Sequence, residues 1–261
     1  MSSRPSIPSK IKREVRKRCG FGCVICGLPI YEYDHLPGFA NVKRHKESEL
    51  TLLCPNHHAM KTKRLLSNIQ VEEANSAPIN HRRGNSSPFT LMFSGDSPKI
   101  MISGLTFQCT ETYKPRFLIP IMLNKRALFG FTIVDGGLLL NMDVRDAKGK
   151  KVLRIKDSEL EVSSSAWDAT IVGNKIIIKE GLRDSIVELE LCPPGKFIIN
   201  KYRIESGGVT VSIDKSTISF RGEKIVSMNL MGDGIYDANV CILSGDAPRN
   251  MSVALKLGEV C

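Results

Sequence analysis

The residues able to do chemistry in this chain of 261 crowd into its first third. Cys23-Val-Ile-Cys26 is followed by Asp34-His35 and then by Cys54-Pro-Asn-His57-His58. Two separated pairs of soft ligands, Cys23/Cys26 and Cys54/His57, have the spacing of a closed tetrahedral zinc site. His58 is one step further from Cys54 on the same helix face, so spacing alone does not choose between the two histidines. Asp34, His35 and the histidine left over would then stand beside the zinc knuckle. A carboxylate and two imidazoles are the groups that hold a hard divalent cation and move a proton near neutral pH.

The charge lies with these residues. Positions 1–90 hold 15 Lys+Arg against 7 Asp+Glu, a net of +8, which leaves 22 against 20 and a net of +2 for the rest. A basic segment around a metal site implies a polyanionic partner, because neutralising phosphates releases condensed counterions. Alone, such a run would be read as a solvated face. No apolar run is long enough to span a bilayer, so no membrane partner is expected. The first ten residues lack the apolar core of a secretory signal, which places the chain in a reducing cytoplasm. There, paired cysteines are metal ligands rather than disulfides.

Elements must position these groups. Ile7, Ile11 and Val15 recur every four residues and predict an amphipathic helix over 7–19 that Gly20 stops. Gly20 to Gly27 reads as a tight knuckle. Residues 28–53 predict an irregular β-hairpin, with Asp34-His35 on its first strand and 50–53 on its second. Pro55 suits the first turn of a helix running to about Leu66. Ser67-Asn-Ile-Gln70 has capping-box spacing and predicts a further helix ending before Pro78. Residues 77–88 are rich in turn formers and read as a linker. From residue 89 onward, alternating pairs such as Leu153/Ile155 and Val209/Val211 alternate with turn signals such as Gly207-Gly208. That texture predicts an antiparallel all-β sandwich or barrel-like domain over 89–261. The fold class is therefore α+β, with 1–76 as the small zinc-stabilised domain.

In its knuckle, its Tyr33-Asp34-His35 and its Leu50-Thr-Leu-Leu-Cys54-Pro-Asn-His57-His58-Ala-Met-Lys61-Thr62, the chain resembles the zinc-containing HNH endonucleases, or ββα-metal nucleases. The likeness covers roughly residues 7–75. It implies a structural zinc on Cys23, Cys26, Cys54 and His57. It also implies His35 as general base, and Asp34 and His58 as ligands of a catalytic Mg²⁺ or Mn²⁺. The substrate implied is double-stranded DNA, cut in restriction or antiphage defence. Lys61, Lys63 and Arg64 would reach the DNA backbone from the same helix.

Two positions depart from the family. Glu49 replaces the asparagine that usually steadies the catalytic loop, and Thr62 replaces a further metal ligand. Both favour the alternative of a zinc-stabilised protein that binds nucleic acid without cutting. The β-domain shows no catalytic motif; recognition, sensing and homodimerisation are its candidate roles, the first by analogy alone. Cys19 fits the ligand spacing less well. Cys109, Cys192, Cys241 and Cys261 read as plain thiols, and Trp167 as a core residue.

Overall fold

The computed structural model describes residues 5–38, 42, 44–110, 116–206, 208–222, 228–246 and 251–257. The fold is mixed α+β, mostly sheet with few helices. It divides into a smaller unit, Met1–Phe89 with Glu161–Ile171, and a larger one, Thr90–Leu160 with Val172–Cys261. Among the described residues no helix is long and apolar enough to cross a membrane.

In the smaller unit, helix α1 (Ser9–Arg18) turns Val15 fully inward. Ile7 and Ile11 pack against the same core as Leu50, Leu52 and Leu53. Strands β1 (Glu32–His35) and β2 (Leu50–Leu53) pair antiparallel, with Asp34 opposite Thr51 and His35 opposite Leu50. Helix α2 (Pro55–Thr62) follows at once, with Pro55 in its first turn and Cys54 capping it through a sulfur that accepts from the His57 amide at 3.5 Å. Helix α3 (Asn68–Ser76) begins with the capping box of Ser67 and Gln70, and each of its two reciprocal bonds satisfies a backbone amide otherwise left open.

The expected linker at 77–88 is instead structured. It carries helix α4 (Ile79–Arg83), whose Asn80 is fully buried. The Asn80 amide donates to the carbonyls of Gly20 and Gly27 at 2.9 and 3.1 Å. A Cβ on Gly22 would stand 2.5 Å from the Asn80 nitrogen, and one on Gly27 only 2.4 Å from its oxygen. The knuckle glycines therefore make room for a side chain that locks the knuckle from behind. Ser87 adds a hydrogen bond of 2.5 Å to the Cys26 carbonyl. Turn-forming residues signalled a linker because the same residue types also satisfy backbone groups at a tight bend.

Residues 161–171 complete this unit and correct the boundary at 89. Arg16 forks onto Asp168 through two bonds of 2.8 and 2.6 Å, both side chains nearly buried. Arg16 also donates to the Tyr33 hydroxyl at 2.8 Å. Trp167 is half-buried rather than core, its ring lying 3.7 Å beneath the Arg13 guanidinium. Such a stack is a cation–π contact. Asp168→Ala would strand the Arg16 charge in a dry site, and the expected loss is roughly 3–5 kcal/mol of unfolding free energy. Urea denaturation followed by the signal of Trp167, the single tryptophan, measures it.

The larger unit is built of sheets. One carries the strands Val240–Ser244, Phe117–Leu123, Arg126–Val134, Gly137–Arg145 and Lys151–Lys156 in that order of hydrogen bonding. Another carries Lys175–Lys179, Ser185–Cys192, Lys196–Ser206, Val209–Ile213 and Ile218–Arg221. Asp135-Gly136, both at positive φ, close one hairpin with the turn that matches strand twist. The antiparallel expectation needs correction at several strands. Val240–Ser244 runs parallel to Phe117–Leu123 and to Val253–Leu257, and Lys196–Ser206 runs parallel to Lys99–Ile102. Turn signals report hairpins; a parallel neighbour arrives through a long connection and leaves no local mark. Cys109 and Cys241 are buried free thiols and Cys192 a half-buried one, while Cys261 lies outside the described residues.

Candidate functional site

The knuckle, the end of β2 and the first turn of α2 bring Cys23, Cys26, Cys54 and His57 together, their ligand atoms all within 4.8 Å of one another. Cys26 and Cys54 sulfurs stand 3.7 Å apart, and His57 Nδ1 lies 3.5 Å from the Cys23 sulfur and 3.2 Å from that of Cys54. A tetrahedral zinc with ordinary bond lengths holds its sulfurs about 3.8 Å apart and sulfur from nitrogen about 3.6 Å. The four residues fit such an ion. The hydrogen bond from the Cys26 thiol draws the Cys23 thiol below its usual range. A metal such as zinc binds the thiolate form. The group contains His57 and not His58, which settles what spacing left open. Cys19 is outside it: fully buried, with its sulfur 3.9 Å from the Asn75 side chain.

On the outer side of β1, a cleft of about 360 Å³ is lined by Glu32, Asp34, His35, His58, Lys61 and Thr62, among others. The structure thus brings Asp34, His35 and His58 to one place. His58 Nδ1 is 2.7 Å from a Glu32 oxygen, and its Nε2 is 3.5 Å from Asp34 Oδ1. Two acceptor-only carboxylates thus flank the His58 ring, one at each nitrogen. A carboxylate beside one ring nitrogen is a common partner of a metal-binding imidazole. Glu32 belongs to no motif in the sequence. Strand alternation was the available signal, since residues 32 and 34 share a face of β1.

His35 is buried at 2% exposure, with Nε2 3.2 Å from His45 Nδ1. His45 Nε2 in turn lies 2.7 Å from the Pro5 carbonyl. With both rings neutral, the carbonyl fixes the His45 proton on Nε2, and His45 Nδ1 then accepts from His35 Nε2. His45, like His81, carries no motif that marks it in the sequence.

The helix lysines and arginine separate. Lys63 and Arg64 are exposed, and Arg64 ends the helical turn with a positive φ of 61°. Lys61 does not reach outward as expected. Its ammonium bonds Asp34 Oδ2 and the His35 carbonyl, the latter at 2.8 Å. One turn beyond His58, it lies on the face that looks into the cleft, and the ion pair with Asp34 holds it there.

The two departures also find places. Glu49 grips Arg44 through bonds of 2.5 and 3.2 Å, which holds its carboxyl below the usual carboxylate range. Its backbone carbonyl accepts from Leu36 at 2.9 Å. Glu49 thus fastens the connection between the two strands. The Thr62 hydroxyl donates back to the His58 carbonyl at 3.0 Å. Compared with known proteins, the chain matches no family model, no curated protein and no solved structure.

Proposed function

We propose that the chain is a metal-dependent endonuclease of the HNH type that hydrolyses phosphodiester bonds of duplex DNA, in restriction or antiphage defence. One observation carries the reading: Asp34, His35 and His58 line one cleft, with His58 Nε2 3.5 Å from Asp34 Oδ1. Asp34 and His58 would hold Mg²⁺ or Mn²⁺, which stabilises charge on the phosphate and on the leaving oxygen. His35 takes the proton of the attacking water, with His45 holding its ring in place. Lys63 and Arg64 contact the backbone without reading sequence. The defence context rests on resemblance and on the pairing of a basic metal-site unit with a β-rich unit. The test is a cleavage assay on modified and unmodified duplexes with Mg²⁺, Mn²⁺ or EDTA, beside elemental analysis of zinc. Cutting that persists undiminished in EDTA would refute the reading.

Lys61 on Asp34 is the observation that favours the second reading, a zinc-stabilised protein that grips nucleic acid without cutting. An ammonium in that place offsets the charge a divalent cation needs. Lys61→Met is expected to tighten Mn²⁺ binding on the order of tenfold, as titration calorimetry on zinc-loaded protein would show. Unchanged binding would mean that the ammonium and the cation do not compete.

A further inference from the structure

The larger unit carries a cavity of about 620 Å³ over the sheet of strands Phe117–Leu123, Arg126–Val134, Gly137–Arg145 and Lys151–Lys156. Its volume lies in the range of small-molecule sites, roughly 300–1,000 Å³. The floor is apolar: Phe117 and Ile119 are half-buried and face the cavity. Gly130 leaves the floor bare, because a Cβ there would meet the Leu118 carbonyl at 2.2 Å.

The walls are cationic. Arg126, Arg145, Lys151, Arg154 and Lys156 line the cavity against Asp143 and Glu205. Lys151 already neutralises Asp143 at 2.8 Å. Arg154, half-buried as a residue, stands opposite Asp143 in the strand register, yet no hydrogen bond or ion pair engages its guanidinium among the described residues. Its planar fork matches phosphate oxygens. A solvated charged face would not have an apolar floor between its cations. A duplex backbone lies along a surface and would leave that floor unfilled.

We propose that this cavity binds a nucleotide, with its phosphate on Arg154 and Lys156 and its base against Phe117 and Ile119. The inference is independent of the nuclease reading, since every residue it uses belongs to the larger unit. The full-length protein is titrated calorimetrically with the four common nucleoside monophosphates, the matching nucleosides, inorganic phosphate and a short duplex. At least one monophosphate is expected to bind at least about tenfold more tightly than its nucleoside and than phosphate, and Arg154→Ala to weaken it by a similar factor. Lys156→Ala, at an exposed rim position, should weaken it too; it serves where Arg154→Ala alters the melting curve. Binding of phosphate equal to that of every monophosphate would reduce the site to a plain anion cradle and overturn the proposal. Binding of the duplex alone, or affinity unchanged in both variants, would overturn it equally.

Discussion

Cys26→Ser is expected to abolish stoichiometric zinc binding and to unfold the smaller unit. A metal on the four-residue cluster would tie the knuckle to the end of β2 and the first turn of α2, three segments that share a small core. So few buried side chains cannot order a knuckle, a four-residue strand pair and short helices by themselves. Structural zinc sites in small domains supply about 10–16 kcal/mol of apparent binding free energy, which becomes folding free energy when the site forms only in the folded state. Elemental analysis should give one zinc per chain in the parent and none in the variant. Hydrogen exchange should show β1, β2 and α2 losing protection, while the sheets of the larger unit, with their own buried residues, keep theirs. Retention of protection in β1 and β2 without zinc would mean that the buried Asn80 and the Arg16–Asp168 pair suffice to hold the knuckle.

The second large effect concerns the proton. His35→Ala is expected to lower duplex cleavage by roughly 10²- to 10⁴-fold, the usual share of a positioned general base. Zinc content and Mn²⁺ binding should be unchanged, because neither ligand set includes His35. His45→Ala should act through His35 and fall between parent and His35→Ala, since the ring remains but loses the partner that holds it. Measured single-turnover rates decide between these. Full activity in His35→Ala would assign the base elsewhere in the cleft.

Some of this was legible in the residues and some was not, for physical reasons. Metal ligation demands particular atoms at short separations, so Cys23, Cys26 and Cys54 stand out in the sequence, while spacing alone left His57 and His58 open and the fold groups His57 with the cysteines. Capping chemistry is equally local, and Ser67 with Gln70 marked the start of α3. Lys61 was misread because basic side chains on short helices usually face solvent; its spacing from His58 already placed it on the cleft side. Glu32 was overlooked because a single glutamate carries no pattern until its strand partner is known. The Asn80 lock, the Arg16–Asp168 fork and the parallel strand pairs join positions far apart in sequence. No periodicity or turn signal reports such joins.

The proposed cleavage requires a second cation between Asp34 and His58. Calorimetric titration of zinc-loaded protein with Mn²⁺, with plasmid cleavage read on the same samples, tests it most directly. One Mn²⁺ per chain beyond the zinc is predicted, lost together with cleavage in His58→Ala and weakened in Glu32→Gln. Cleavage that survives intact in His58→Ala, or that proceeds without any divalent cation, would contradict it.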